Sequence, residues 1–279
     1  IRARALFLKA IGAWEQLGDP LAAARARMAF ARAQIALRQV SDARLQLELA
    51  VPAVERAGDH DALGWLYEEL AAVLRDTDPP AALDRARAAV QCAAKAGDRP
   101  RVGIRLGVVS GLYAATGNWA KARQYQEKAL EYLRESHDGL GICAGLDRLA
   151  EAAVALGEPD RAEALLREAV ELADSLRKPG LQGQLRRRLA DRILARGDAL
   201  AARDLLDRAI TLLHTAGDPR ESYPAALSLA RAHWRLGRRP DAVRALDRAI
   251  ALCRILGDED GAAKVTAMRA EAALGEWRG

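Results

Sequence analysis

Sulfur-containing and histidine side chains are scarce in this chain of 279 residues, which has 3 cysteines, 2 methionines and 4 histidines. Cys92, Cys143 and Cys253 lie far apart with no paired spacing, so neither a disulfide framework nor a zinc site is indicated. A chain without a disulfide framework suits the reducing cytoplasm. We therefore predict a cytoplasmic protein that has no metal and no other cofactor.

Signals for membranes and export are also missing. No apolar run approaches the roughly 18 residues that a membrane-spanning helix needs, and the opening residues IRARALF lack the layout of a signal peptide. The 43 basic residues exceed the 38 acidic residues by only five, spread over the whole length. This excess is too small to indicate nucleic-acid binding. We expect neither a membrane nor a nucleic acid as the main partner.

Patterns typical of catalysis are absent as well. His60, His137, His214 and His233 do not share a helix at ligand spacing, so we expect solvated histidines rather than a metal or acid-base site. His137 precedes Cys143 by six residues, but no third group is positioned beside them, which makes a weak signal for a nucleophile. No phosphate-binding loop of the GxxxxGK[ST] type occurs. The sequence predicts that the protein is not an enzyme.

The most informative feature is an internal repeat of about 40 residues. The dipeptide Gly-Asp or a degenerate copy of it recurs every 40 residues, with one spacing of 39, and ends at Asp19, Asp59, Asp98, Asp138, Lys178, Asp218 and Asp258. Two rows of alanines recur in phase with it: Ala3, Ala43, Ala82, Ala122, Ala162, Ala202 and Ala242, then Ala10, Ala50, Ala89, Ala129, Ala169, Ala209 and Ala249. Alanines seven residues apart lie on one face of a helix, where a small side chain lets a neighbouring helix approach closely.

Glycine and proline predict two helices in each repeat. Nine glycines stand where a helix should end, as expected for the C-cap: Gly18, Gly58, Gly97, Gly117, Gly157, Gly197, Gly217, Gly237 and Gly257. Prolines fall in turns or in first helical turns, where the missing amide hydrogen costs little, and we expect only Pro52 deep inside a helix, with a bend there. The pattern predicts fourteen helices in all.

These helices are predicted to form one solenoid over residues 1–279. It consists of a half-repeat at 1–19, six repeats at 20–59, 60–98, 99–138, 139–178, 179–218 and 219–258, and a half-repeat at 259–279. One helix pair cannot bury its apolar face alone, so consecutive repeats stack. Neither end carries the polar outer face of a terminal cap. We therefore expect this chain to be part of a larger protein, with self-association through the uncapped ends as a further expectation.

Three segments carry a resemblance to the tetratricopeptide repeat family. They are GNWAKARQYQEKAL at 117–130, LAEAAVALGEPDRA at 149–162 and LADRILARGDALAA at 189–202. Because the repeat of this chain is longer than the family's usual 34 residues, the chain is most similar to the long variant found in MalT-like activators and signal-transduction ATPases of bacteria. The resemblance implies an all-α, right-handed superhelical solenoid of antiparallel helix pairs, whose first helices line the concave side. The turns RQVS at 38–41 and TDPP at 77–80 depart from the family pattern, and we expect them to differ locally.

The resemblance also implies a binding surface on the first helices. Mapping the family's groove-facing positions onto this chain gives Arg25, Met28, Arg32, Ile35, Asp147, Arg148, Glu151, Gln184, Arg187, Arg188, Asp191, Arg231, Trp234 and Arg235. Arginine matches carboxylates and phosphates, so an acidic peptide segment is a reasonable guest. The alternative is that these arginines pair with acidic residues of neighbouring helices.

A stripe of glycines marks the helix predicted at 101–116. Gly103, Gly107 and Gly111 are four residues apart, although each interior glycine costs about 1 kcal/mol relative to alanine. Either neighbouring helices pack closely there, or Gly107 and Gly111 keep the floor of the groove bare for a partner.

The residues and the resemblance together predict a protein-interaction or sensor module within a bacterial signalling or transcription-regulatory protein. A sensor of a small molecule such as an oligosaccharide is the alternative, for which the concave face should hold an aromatic-lined pocket. Nucleic-acid binding is less favoured, and its affinity would fall steeply with salt.

Overall fold

The computed structural model describes residues 2–277, which form fourteen α-helices and no strand. Their bounds are α1 Arg2–Gln16, α2 Pro20–Ala36, α3 Val40–Ala57, α4 His60–Leu74, α5 Pro79–Lys95, α6 Arg99–Ala115, α7 Trp119–Glu135, α8 Gly139–Ala155, α9 Pro159–Leu176, α10 Pro179–Arg196, α11 Ala199–Ala216, α12 Pro219–Arg235, α13 Arg239–Leu256 and α14 Glu259–Leu274. The predicted all-α solenoid of helix pairs is confirmed. The chain divides into two compact units, unit 1 up to Gly141 and unit 2 from Ile142.

The recurring Gly-Asp dipeptide builds the turn between repeats. Gly58 takes a left-handed φ of 66°, which ends α3, and the Asp59 side chain then accepts a hydrogen bond of 3.0 Å from the Ala62 amide at the start of α4. The same cap precedes α6, α12 and α14, at Asp98, Asp218 and Asp258. Glycine and aspartate therefore recur together because one ends a helix and the other begins the next.

Three turns adopt the left-handed geometry without glycine. Arg38, His137 and Arg177 have φ values of 61°, 55° and 52°. The RQVS turn thus differs from its relatives in residue type and not in the sign of φ. In the TDPP turn no residue has a positive φ, and the amides of Thr77 and Asp78 both donate to the Leu74 carbonyl at 3.1 and 2.7 Å.

We expect Arg177→Gly to stabilise the protein by about 0.5–1 kcal/mol, because glycine populates the left-handed region without the clash of a Cβ atom. The Arg177 side chain is exposed, so little packing is lost. Urea denaturation measures the change in free energy of unfolding. Gly217→Arg is the matched control, since Gly217 ends α11 at φ 66° with open space around it, and it should destabilise. A gain in stability from Gly217→Arg, or none from Arg177→Gly, would contradict this account.

The two alanine rows lie in the core of both units. From Ala43 to Ala242 and from Ala50 to Ala249, every member of these rows is at most 2% exposed. Ala3 and Ala10 in α1 are exposed, since α1 packs against α2 and leaves its other face uncovered within the described residues. Leucines fill the space around the rows, for example Leu47 and Leu66 in unit 1, and Leu206 in unit 2.

Pro52 lies deep inside a helix as predicted, but a second proline also lies within a helix, near its start. Pro52 is inside α3, and Pro224 is likewise inside α12. Both helices continue past their proline. Pro224 is the sixth residue of α12, so its missing amide hydrogen removes a single i to i−4 bond, the one to the Arg220 carbonyl in the first turn.

Ala169→Glu should cost several kcal/mol of stability, because Ala169 is fully buried and the new carboxylate would have no partner. Ala164→Glu on the same helix is the control, since Ala164 is exposed. Thermal melting followed by circular dichroism compares the two. Equal melting curves would contradict the register of α9. In a solenoid, each repeat contacts only the neighbouring repeats. We therefore expect partial unfolding around α9.

Candidate interaction surface

The first helices of unit 1 enclose a cleft of about 420 Å³. Its walls come from one exposed stripe on each of α2, α4 and α6, because residues three, four or seven apart share a helix face. The lining residues are Met28, Arg32, Asp61, Ala62, Trp65, Glu68, Arg101, Ile104 and Arg105. Charged and apolar side chains therefore meet in one concave site.

Arg105 forms the base of this cleft. It is 4% exposed, and one guanidinium nitrogen donates to the Ala89 carbonyl at 3.0 Å while Nε donates to Glu68 at 3.3 Å. Gly64 gives the guanidinium room, because a Cβ atom at that position would lie 2.6 Å from Arg105 Cζ. The buried charge is thus held on three sides by α4 and α5.

Two further arginines of unit 1 pair with acidic side chains one repeat away. Arg101 donates to Asp61 at 2.6 Å and lies 3.2 Å from Asp98. Arg25 lies 3.7 Å from Asp59, although 65% of its side chain is exposed. These exposed pairs each contribute about 0–1 kcal/mol and mainly fix side-chain positions.

Arg32 is held by an aromatic ring instead of a carboxylate. Its guanidinium carbon lies 4.2 Å from the centre of the Trp65 ring, a cation-π contact. Burial, followed by the charge of Glu68, raises the pKa of the nearby Glu69 carboxyl. Arg32 forms no ion pair among the residues that the structure describes, although its charge partly offsets that rise.

In unit 2 the charged residues of the first helices form a network of ion pairs. Arg187 in α10 lies 3.0 Å from Asp191 in the same helix and 2.9 Å from Glu221 in α12. Ser228 in α12 donates to Asp191 at 2.5 Å. Arg188 lies 3.2 Å from Asp147 in α8. In this region the arginines pair with acidic side chains of the same or a neighbouring helix, which was the alternative to ligand binding for Arg187, Arg188 and Asp191.

Asp147 is the most desolvated carboxylate of this network. Burial raises its pKa, and the nearby Arg188 partly opposes that rise. Its Oδ1 has no hydrogen-bond partner, and Arg188 Nε is close enough for an ion pair without making a directed hydrogen bond. The pair is held together by charge more than by hydrogen-bond geometry.

The remaining predicted positions are scattered between exposed and covered environments. Arg148 and Glu151 are exposed on α8, while Ile35 packs against the core of unit 1 and Gln184 is half-buried in α10. Arg235 in α12 donates to the Leu194 carbonyl. The predicted positions are therefore not equivalent.

Trp234 is covered in part by other side chains. Trp277 packs edge-on against its ring with centroids 5.5 Å apart, and the Arg239 guanidinium lies 5.3 Å from the ring centre. Arg231 lies one helical turn before Trp234 and lines a second cleft of about 920 Å³ with Lys264, Ala267, Met268, Glu271, Glu276 and Trp277. The Trp234 ring, predicted to be part of the binding surface, is thus largely covered by Trp277 and Arg239 of unit 2.

The glycine stripe of α6 serves two purposes. A Cβ atom on Gly103 would lie 3.0 Å from Leu133 Cγ and Tyr132 Cβ, so this glycine allows α7 to approach. Gly107 is buried, which is at odds with a bare groove floor at that position. Gly111 is exposed and has open space where a side chain would be. Only Gly111 keeps a surface bare.

Gly111→Ala should therefore raise the free energy of unfolding by about 1 kcal/mol through helix propensity alone. Gly103→Ala, the same change two turns earlier, should not gain this stability, because its Cβ atom would crowd the Ala129 carbonyl at 3.1 Å and α7 side chains. Urea denaturation of both variants gives the comparison. Equal gains in stability would contradict the close packing of α6 on α7.

The cysteines are buried and reduced. Burial raises the pKa of the Cys143 thiol to about 11, and it raises the pKa values of Cys92 and Cys253 as well. A neutral buried thiol is a poor nucleophile. Across residues 2–277, no three His, Cys, Asp or Glu side chains are grouped to hold a metal ion. Among the described helices, none combines the length and apolar composition needed to span a bilayer.

Sequence reasoning missed most of the residues of the cleft in unit 1. The groove positions used for the repeat 20–59 are its sixth and ninth residues, Arg25 and Met28. The same positions of the repeat 60–98 are Trp65 and Glu68, and the sixth residue of 99–138 is Ile104. The same register in every repeat thus predicts Trp65, Glu68 and Ile104, but not Asp61, Ala62, Arg101 or Arg105.

Comparison with known proteins agrees with this architecture. Two family models described as tetratricopeptide repeats match residues 106–175 and 225–260. No curated protein matches the chain in sequence. Residues 106–175 and 225–260 therefore resemble tetratricopeptide repeats in sequence.

Solved structures share the fold at low sequence identity. BtubC (BKLC) from P. vanneervenii is similar with a TM-score of 0.70 and 20% identity over 78% of this chain and 92% of that chain. A STAND protein with a tetratricopeptide repeat sensor from Pyrococcus horikoshii has a TM-score of 0.71 and 20% identity over 99% of this chain and 42% of that chain. A Rap protein complexed with Competence and Sporulation Factor has a TM-score of 0.61 and 15% identity over 92% and 76%.

Proposed function

We propose that this chain is a protein-interaction module that binds a peptide segment or partner protein on the face of its first helices. The cleft of unit 1 is the observation that carries this proposal. It combines exposed apolar surface at Ile104, which is 47% exposed, with the Trp65 ring and an arginine that has no ion pair. Aromatic and arginine side chains together are typical of the residues that dominate protein interfaces.

The cleft suits a peptide better than an oligosaccharide or other small molecule. Its volume of about 420 Å³ would admit a small ligand. Five of its nine lining residues are charged, however, and Trp65 is the single aromatic among them. Small-molecule pockets are mostly apolar and aromatic. A charged, open cleft favours a segment of polypeptide that brings its own polar groups.

We further propose a role in bacterial signalling or transcription regulation, in the cytoplasm. The support is limited to the shared fold. One structural neighbour carries a tetratricopeptide repeat sensor in a signal-transduction ATPase, and another was solved with Competence and Sporulation Factor. A fold supports many functions, so the binding surface carries the argument and the neighbours only suggest its setting.

Selection from a random 12-residue peptide library displayed on phage tests the binding function. We expect enriched peptides to bind the full chain and to lose at least about tenfold in affinity with Trp65→Ala, because interface tryptophans contribute strongly to binding. Trp14→Ala is the control, since Trp14 is exposed on α1 outside the cleft. Titration calorimetry measures affinity, and circular dichroism checks that each variant folds.

Two results would count against the proposal. One is a selection that enriches no peptide above background. The other is a set of peptides whose affinity is unchanged by Trp65→Ala, which would move the binding surface away from the cleft.

A further inference from the structure

Arginine is the commonest charged residue that lines the cleft of unit 1, and Glu69 next to it adds a carboxylate whose charge acts on Arg32. Three arginines, Arg32, Arg101 and Arg105, face two carboxylates, Asp61 and Glu68. We propose that the cleft recognises an acidic side chain of the bound segment, with the carboxylate held by Arg32. This inference rests on the proposed peptide-binding function and names the chemistry of its anchor.

Two of the three arginines already form hydrogen bonds within the protein. Arg101 donates to Asp61 at 2.6 Å, and Arg105 is buried between Glu68 and the Ala89 carbonyl. Displacing Arg105 would leave the buried Ala89 carbonyl without its partner, and displacing Arg101 would break its pair with Asp61. A ligand therefore gains most by binding the remaining arginine.

Arg32 is prepared for such a ligand. The guanidinium carbon lies 4.2 Å from the centre of the Trp65 ring, and Trp65 is itself packed against the core of unit 1. Among the residues that the structure describes, the Arg32 side chain makes no hydrogen bond or ion pair, so its N–H groups are free to donate to a ligand. A carboxylate accepts two such hydrogen bonds in parallel.

The surroundings of Arg32 favour an aliphatic residue beside the acidic one. Met28 lies one turn before Arg32 on α2, and Ile104 lines the opposite side of the cleft on α6. Both present apolar surface at the site. We therefore expect a segment in which glutamate or aspartate adjoins a residue such as leucine.

The ion pairs of unit 2 supply an internal comparison. Arg187 and Arg188 stand on α10, but both lie within 3.2 Å of carboxylates of the same or a neighbouring helix. An acidic ligand would have to compete with these carboxylates. The inference is therefore specific to the cleft of unit 1.

Two pools of acetylated, amidated hexapeptides test this chemistry. The central residues are Glu-Leu in one pool and Gln-Leu in the other, with the remaining positions randomised without charged residues. The indole N–H resonance of Trp65, assigned with Trp65→Phe, reports binding by NMR. We expect the Glu-Leu pool to shift this resonance at a concentration at least about tenfold lower than the Gln-Leu pool, since hydrogen bonds between charged groups contribute about 1.5–3 kcal/mol.

Arg32→Gln should remove the difference between the two pools. Arg25→Gln should leave it unchanged, because Arg25 lies on the same helix outside the cleft and is exposed. Both changes are at exposed positions of α2, so both variants are expected to fold. This can be checked from their amide spectra.

The outcomes separate the acidic anchor from peptide binding in general. Equal shifts by both pools would overturn the acidic anchor and leave the proposed peptide binding intact. No shift by either pool would overturn the anchor, while the phage selection decides the proposed function independently. A shift by N-acetylglutamate as large as that by the Glu-Leu pool would replace the peptide with a small carboxylate ligand and overturn the proposal.

Discussion

Close approach of helices at alanine is the constraint on which each unit depends. The buried rows carry only methyl side chains, and Ala43, Ala129 and Ala209 are completely buried. Helix axes can come near each other only where side chains are small. Once the separation is set in this way, leucines fill the space around each alanine, and the exposed stripe of each first helix faces its counterpart one repeat later.

That spacing decides what the exposed side chains can do. Long side chains on consecutive first helices reach each other, so arginines pair with acidic residues 34–41 positions away in sequence. In unit 2 such pairs engage Arg187 and Arg188. In unit 1 a tryptophan takes the place of a carboxylate beside Arg32, and a cleft remains.

The parts of this fold that depend on local chemistry could be predicted from the sequence. Gly58 and Asp59 specify a helix end and a helix start through their own backbone and side chain, and their periodic recurrence predicts all fourteen helices. Side-chain pairing one repeat apart could not be predicted in the same way. Gly64 resembles any small helix residue until Arg105 is seen beside it, and Trp234 resembles a surface aromatic until Trp277 covers it. Such contacts depend on side-chain conformations that no periodic pattern specifies.

The three buried thiols can report local opening of the fold through their rates of alkylation. Cys92 belongs to unit 1, whereas Cys143 and Cys253 belong to unit 2, and all three are shielded from solvent in the folded chain. An alkylating reagent reaches each sulfur only when the surrounding helices separate, since a buried thiol does not ionise readily. The modification rate at each cysteine therefore records how often its own neighbourhood opens, and it does so without any foreign label. Solenoids open piecewise, and here the sequence already carries one reporter in unit 1 and two in unit 2.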